Sequence, residues 1–217
     1  MRDLAIIAAA SYVLGSIPFG YLLVRIVYSE DVRQSGSGNI GATNVSRKSP
    51  VLGVLTLLLD ALKGTCAVWL TYTVLSRMYP GNIDVDLFPF ASMSGAFAVI
   101  GHMFPVWLRF RGGKGVATSL GAFILLAPHE MLGSAAVFLL VALVSRYVSL
   151  ASIAASVSFP LFVCLSFRGS SRGSWPSILP MIVVACLVIA KHHQNIRRLL
   201  AGTESRFGSR PAAREEQ

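Results

Sequence analysis

The chain has 217 residues, of which 54% are hydrophobic and only 13% charged, and its mean hydropathy is +0.64. Soluble domains carry roughly 25% charged residues, so this deficit excludes an ordinary soluble globular protein and puts the chain in the membrane class. The net charge of +9 would suit a nucleic-acid binder, but the cations fall in short loops between apolar runs, so no nucleic-acid partner is expected.

A helix that crosses a bilayer needs ~20 mostly apolar residues. The first such run is Leu4–Val24, which is long for a signal-peptide core and lacks a basic leader of any length. A polar segment rich in glycine follows, from Gly36 to Arg47. The second run, Val51–Leu75, is interrupted by Asp60 and Lys63, whose i, i+3 spacing lets them neutralise one another. A structural ion pair near the site is expected of them rather than direct catalysis. In the third run, Leu87–Leu108, His102 sits about two turns inside, by the helical repeat. It is placed either to hydrogen-bond across helices or to line a cleft. The cationic segment Arg109–Thr118 comes next.

The following apolar stretch is broken only by Pro128-His129-Glu130 and splits into Val116–Ala127 and Met131–Ser145. The first piece covers only about 18 Å at ~1.5 Å per residue, which leaves a tilted span and a re-entrant segment both open. A short turn around Arg146, Tyr147 and Ser149 leads to Val148–Phe167, and Ser174–Ala190 completes the set. Lys191-His192-His193-Gln194-Asn195-Ile196-Arg197-Arg198 follows. Residues 1–207 are expected to form one membrane domain, and 208–217 a polar, disordered cytoplasmic tail. Cys66, Cys164 and Cys186 lie inside apolar runs without C-x-x-C spacing, which argues for small buried hydrophobes and against disulfides or a metal site.

This map predicts an all-α polytopic membrane protein with seven transmembrane helices. Of the 19 Lys and Arg residues, Lys63 is intramembrane, and Arg2, Arg77, Arg168 and Arg172 fall on one side; the other fourteen fall on the opposite side. By the positive-inside rule that side is cytoplasmic, the N-terminus is outside and the C-terminus is cytoplasmic. The three polar segments share the cytoplasmic face even if Val116–Ser145 is a re-entrant hairpin.

Their chemistry is that of an anion site. Gly36, Gly38 and Gly41 let the backbone turn its N–H groups outward. Ser37, Asn39, Thr43 and Asn44 add neutral donors, and Arg47 adds a planar cationic fork suited to phosphate. Gly112-Gly113-Lys114-Gly115 precedes an apolar helix, whose N-terminus offers unpaired N–H groups to an anion. It is not a Walker A loop, because position 108 is Leu and Lys114 is followed by Gly115. His192 and Asn195 share one helical face, continued by Arg198. No histidine has an aspartate at the fifth position after it, no G-x-S-x-G elbow exists, and no carboxylate lies in the three segments. A protein carboxylate base and a Mg-centred site are therefore not expected.

Taken together, Gly-Ser-Gly-Asn-Ile-Gly-Ala-Thr-Asn at 36–44 with Arg47, Gly-Gly-Lys-Gly-Val-Ala-Thr at 112–118, and His192 with Asn195 resemble the membrane acyl-phosphate:glycerol-3-phosphate acyltransferase family (PlsY). Gly15–Gly20, Leu59–Gly64, Gly101-His102 with Phe104-Pro105-Val106, and Arg146–Leu150 resemble it too, so the likeness runs from about residue 11 to residue 207. It implies a seven-helix enzyme of the bacterial inner membrane with a cytoplasmic active site, acting in the first step of phospholipid biosynthesis. The reaction it implies moves a fatty acyl group from acyl phosphate to the 1-hydroxyl of glycerol 3-phosphate, giving lysophosphatidic acid and phosphate without a cofactor or metal.

Carried over by residue, the resemblance puts phosphate contacts on Ser37, Asn39, Ala42, Thr43, Arg47 and Lys114. It puts glycerol-phosphate contacts on Arg47, Lys114, Ser149, His192 and Asn195. With Asn44 and Gly113 from the motif loops, these are the expected substrate-binding residues, and Ser37, Arg47, Lys114, His192 and Asn195 the expected catalytic ones. The family is thought to use the substrate's own phosphate in place of a protein base. His193-Gln194 departs from what relatives often carry there. The expected partners are the two substrates and the bilayer. The expected state is a monomer working near the enzyme that makes acyl phosphate. A transporter for a phosphorylated solute is the competing class, disfavoured because all the anion chemistry lies on one face and no matched broken helices appear in two halves of the chain. A lipid-binding scaffold would leave the clustered polar donors unexplained.

Overall fold

The computed structural model describes residues 2–80 and 86–207, and the expected tail at 208–217 lies outside them. All regular structure among the described residues is helical. The first apolar run is two helices, α1 (Arg2–Gly15) and α2 (Phe19–Tyr28), rather than one. Pro18 has no N–H and disfavours helix at the residue before it, which breaks the rod and leaves the carbonyl of Ile17 outside the helical ladder, accepting from Phe19 N–H at 3.2 Å. A buried cation meets the same oxygen: Lys63 Nζ donates to Ile17 O at 2.8 Å.

After a polar loop come α3 (Ala42–Val45) and α4 (Pro50–Met78), the latter capped by Ser49, whose side chain accepts from Leu52 N–H. α5 (Phe88–Met103), α6 (Val116–Ile124) and α7 (Pro128–Ser145) follow. Helix α7 begins three residues earlier than its expected start at Met131, because Pro128 occupies the first helical position, where a missing N–H costs nothing. Helix α6 ends short of the expected Ala127. Its 9 residues span only about 14 Å, too little to cross a bilayer alone. It lies flush on α4, where a Cβ on Gly121 would fall 1.8 Å from Ala61 O. Small residues let helices in lipid approach to backbone contact, where packing replaces the hydrophobic drive.

Helix α8 (Val148–Ser166) pairs with α7, and α9 (Trp175–Lys191) bends by 52° into α10 (His193–Leu200). Leu4–Tyr28, Pro50–Met78, Phe88–Leu108, Pro128–Ser145 and Val148–Ser166 are long and apolar enough to cross a membrane; α9 and α10 reach that standard only together. The core joins Val68, Val99, Met103, Phe123, Phe159 and Met181, with the rings of Phe123 and Phe159 stacked at 5.4 Å. A smaller cluster of Val24, Val32, Ile40, Val45, Leu52 and Leu108 lies under the loop between α2 and α4. On α7, Leu143 and Val144 are 78% and 79% exposed, a face suited to lipid. Cys164 and Cys186 are exposed as well, not buried as their apolar context suggested. In lipid, an apolar sequence context does not say which face of a helix points inward.

Candidate functional site

The loop from Ser35 to Asn44 is built around one amide. Asn44, at 4% exposure, accepts from Ser37 N–H at 2.8 Å through Oδ1. Its Nδ2 donates to the carbonyls of Val32, Ser35 and Asn39 at 2.8–3.1 Å. These bonds absorb the backbone polarity of a loop that has no helix or sheet to do so. Asn44 is therefore an organiser of the loop. Asn39 has a similar task, its Oδ1 accepting from Gly41 N–H at 2.8 Å. Gly36 must be glycine: its φ is +59°, and a Cβ there would sit 2.2 Å from Asn44 Oδ1. Ser37, Thr43 and Arg47 are exposed, and Ala42 is half-buried. Ser35, Gly36, Asn44, Arg47 and Lys48 line a cleft of about 300 Å³.

A second group is joined by a continuous chain of hydrogen bonds. Lys114, in the loop before α6, donates through Nζ to Asn195 Oδ1 at 2.6 Å. Asn195 Nδ2 donates to Glu204 Oε1 at 2.6 Å, and Ser149 Oγ donates to the same oxygen at 2.6 Å. Arg198 Nε completes the set on Glu204 Oε2 at 2.6 Å. Ser149 stands in the first turn of α8, and Asn195 and Arg198 lie one turn apart on α10, so the bend after α9 is what aims the His192–Arg198 face at Lys114. The two groups meet electrostatically, since Arg47 and Arg198 are near enough to act on the Lys114 ammonium.

His192 is buried at the junction of α9 and α10, with Nδ1 2.7 Å from Val188 O. A carbonyl only accepts, so Nδ1 carries the proton and Nε2 is left as an acceptor. Burial pushes the His192 pKa down to about 4, with the Val188 bond opposing and the Lys114 charge assisting. The ring is neutral at physiological pH.

Glu204 is the residue that sequence reasoning missed: it lies outside the three motif segments, yet its carboxylate accepts from Ser149, Asn195 and Arg198. Burial works against its charge, but the bonds from Ser149, Asn195 and Arg198 hold its carboxyl below the usual range. The segment after α10 folds back on the turn between α7 and α8. Phe207 N–H donates to Arg146 O at 2.7 Å, and Arg206 Nε to Tyr147 Oη at 3.1 Å. The one available signal was a single carboxylate standing between Arg198 and Arg206 in an otherwise cationic stretch.

Burial pushes the Lys114 pKa down to about 8, partly offset by Glu204 and reinforced by Arg198 and Arg47. The ammonium is present below that value and lost above it. An anion held by Lys114 is therefore expected to bind progressively more weakly as pH rises through about 8. Titration with inorganic sulfate, whose charge is constant from about pH 6 to 10, in the native protein and in Lys114→Ala measures this. A flat profile across that range would show that Lys114 does not hold the anion.

Residues 5–202 match the family model described as glycerol-3-phosphate acyltransferase. A curated relative of that name from Syntrophotalea carbinolica is 44% identical over 208 residues, covering 95% of this chain and 99% of the relative. Another, from Trichlorobacter lovleyi, is 47% identical over 201 residues, covering 92% and 95%. Among solved structures, the fold is similar to the glycerol 3-phosphate form of PlsY (YgiH), an integral membrane glycerol 3-phosphate acyltransferase. The TM-score is 0.80 and the identity 39%, over 95% of this chain and 96% of that one. The lysophosphatidic acid form of the same protein gives 0.78 and 38% over the same shares.

Proposed function

Because the chain belongs to the glycerol-3-phosphate acyltransferase (PlsY) family, we propose that it moves a fatty acyl group from acyl phosphate to the 1-hydroxyl of sn-glycerol 3-phosphate. The products are 1-acyl-glycerol 3-phosphate and inorganic phosphate. The observation that carries this reading is the chain of donors Lys114, Asn195 and Ser149 gathered beside neutral His192. Such a set binds an anionic headgroup and a hydroxyl side by side.

In the reaction the 1-hydroxyl oxygen forms a bond to the acyl carbon. The bond from that carbon to the phosphate oxygen breaks, and its electron pair leaves with phosphate. Arg47 and Lys114 balance the charge of the two phosphate groups. Ser37, Asn39, Thr43 and the backbone at Ala42 supply neutral donors, Gly113 brings the backbone close beside Lys114, and Asn44 holds the loop's shape. His192 Nε2 accepts the hydrogen bond of the glycerol hydroxyl and so aims it. With a pKa of about 4 it is a weak base, so the hydroxyl proton passes to a phosphate oxygen of the substrate. Phosphate is a good leaving group, and the protein's contribution is position and fixed positive charge.

In the proposed topology the chain crosses the bacterial inner membrane seven times, with α6 and the turn after it, 125–127, together making one shortened crossing. The N-terminus is outside, and the motif loops and C-terminus are cytoplasmic. The protein acts as a monomer near the enzyme that produces acyl phosphate. Purified protein given acyl phosphate and radiolabelled glycerol 3-phosphate is expected to form lysophosphatidic acid without acyl-CoA or acyl carrier protein. Absence of product from folded protein would overturn the reaction. Labelling of a C-terminal tag in intact cells by an impermeant reagent would overturn the orientation.

A further inference from the structure

Behind the Lys114 loop lies a buried cluster to which the reaction assigns no part. The side chains of Lys63, Asp60 and His102 are 1%, 3% and 4% exposed. Lys63 Nζ sits 2.8 Å from Asp60 Oδ1, donates to Ile17 O at 2.8 Å and lies 3.0 Å from His102 Nδ1. Two of the three ammonium N–H groups thus meet Ile17 O and His102 Nδ1, and Asp60 Oδ1 balances the charge as an ion pair without hydrogen-bond geometry. The His102 ring is thereby held by Lys63 and Asp60 of α4, with Lys63 itself tied to the break between α1 and α2.

Its other edge faces Gly113. A Cβ on Gly113 would lie 2.0 Å from His102 Nε2 and 2.6 Å from Cε1. The Gly113 N–H also donates to His102 O at 3.0 Å, and Gly112 N–H donates to Met103 O at 3.3 Å. The φ of Gly113 lies outside the left-handed region, so it is the imidazole ring that bars a side chain there. The next residue is Lys114, whose Nζ must reach Asn195.

We infer that His102, locked by Lys63 and Asp60, is a positioning residue that seats Gly113 and so sets the reach of Lys114 into the phosphate site. The inference rests on Lys114 being the phosphate-binding cation proposed above. Asp60, Lys63 and His102 touch no substrate; they act through the loop. A displacement of the order of 1 Å in such a clamp costs up to about a hundredfold in rate.

The test is a double-mutant cycle of His102→Asn and Gly113→Ala in the full-length protein, with kcat and KM for glycerol 3-phosphate measured on samples checked by thermal unfolding in detergent. His102→Asn keeps an acceptor for Lys63 but removes the ring atoms nearest Gly113. Each single variant is expected to raise KM by about tenfold or more. The double variant is expected to recover at least about tenfold over the product of the singles, because the new methyl group fills the vacated space. In His102→Asn the loosened loop admits water to Lys114. The alkaline limb of kcat/KM, expected in the native protein where Lys114 loses its proton at about 8, should then move upward, a readout that simple loss of fold would leave in place. An ordinary KM in Gly113→Ala, which is readable even if His102→Asn does not fold, overturns the inference, and so do multiplicative effects in the cycle. If instead Lys114→Ala retains activity, the phosphate-clamp reading is what fails.

Discussion

Lys114→Ala is expected to lower turnover by about a hundred- to a thousandfold while leaving the helical fold intact. Lys114 is half-buried in a loop, and its ammonium is spent on one bond, to Asn195. Nothing in the hydrophobic core leans on it, so the loss should fall on the reaction and hardly at all on stability. In the proposed reaction, negative charge shifts onto the leaving phosphate beside a half-buried ammonium, where a fixed cation is worth more than in bulk solution. Arg47 and Arg198 remain but cannot substitute, because Arg198 is already committed to Glu204 and Arg47 approaches from the other loop. The measurement is the radiolabelled acyl-transfer assay on purified protein, with circular dichroism to confirm helix content. A rate within a few-fold of wild type would remove Lys114 from the clamp.

Lys63→Ala has the largest expected effect on stability. Lys63 and Asp60 form an ion pair at 2.8 Å with almost no solvent contact. Removing one partner of such a pair strands the other charge and costs about 3–5 kcal/mol. Here the loss extends further, because Ile17 O at the α1–α2 break and His102 Nδ1 both lose the donor they share. The expected outcome is a drop in apparent melting temperature in detergent of roughly 10 °C, with reduced yield from membranes. The control is Lys63→Met combined with Asp60→Asn, which removes both charges and is expected to recover most of the loss, since a buried pair replaced as a unit is often near neutral. A single Lys63→Ala variant that melts like the native protein would mean that Asp60 finds compensation elsewhere.

The sequence marked both of these lysines as unusual, but for different reasons. Lys63 stood out as a charge inside an apolar run, paired with Asp60 at helical spacing. Lys114 stood out between glycines ahead of an apolar helix. The expected runs match α4 and α8 to within three residues, while α5 ends at Met103, five short of the expected Leu108. In lipid, backbone groups must bond within their own segment, so a crossing helix announces itself locally by length and apolarity. The same locality made Pro128 misleading, since a proline that breaks one apolar pattern also opens the next helix without penalty.

The motif loops carried less information about roles than about composition. Asn44 read as one more donor for an anion, yet its amide is consumed by Ser37, Val32, Ser35 and Asn39. Glu204 drew no role from its sequence context, yet it ties Ser149, Asn195 and Arg198 together. Loop residues have no period, so their sequence shows which groups are present and not which partner each one takes.

From the chain alone followed the membrane class, the apolar runs, the shared face of the three polar segments and the phosphate-like chemistry of their residues, because each depends on composition or on spacing within one segment. The tertiary structure alone brought Glu204 onto the Lys114–Asn195 pair, put the His102 ring against Gly113 and gave the Ile17 carbonyl to Lys63. These contacts join residues 9 to 81 positions apart (Asn195 to Glu204, Lys114 to Asn195). Which of many polar side chains meets which is decided by how helices pack at close range, and no local pattern encodes that.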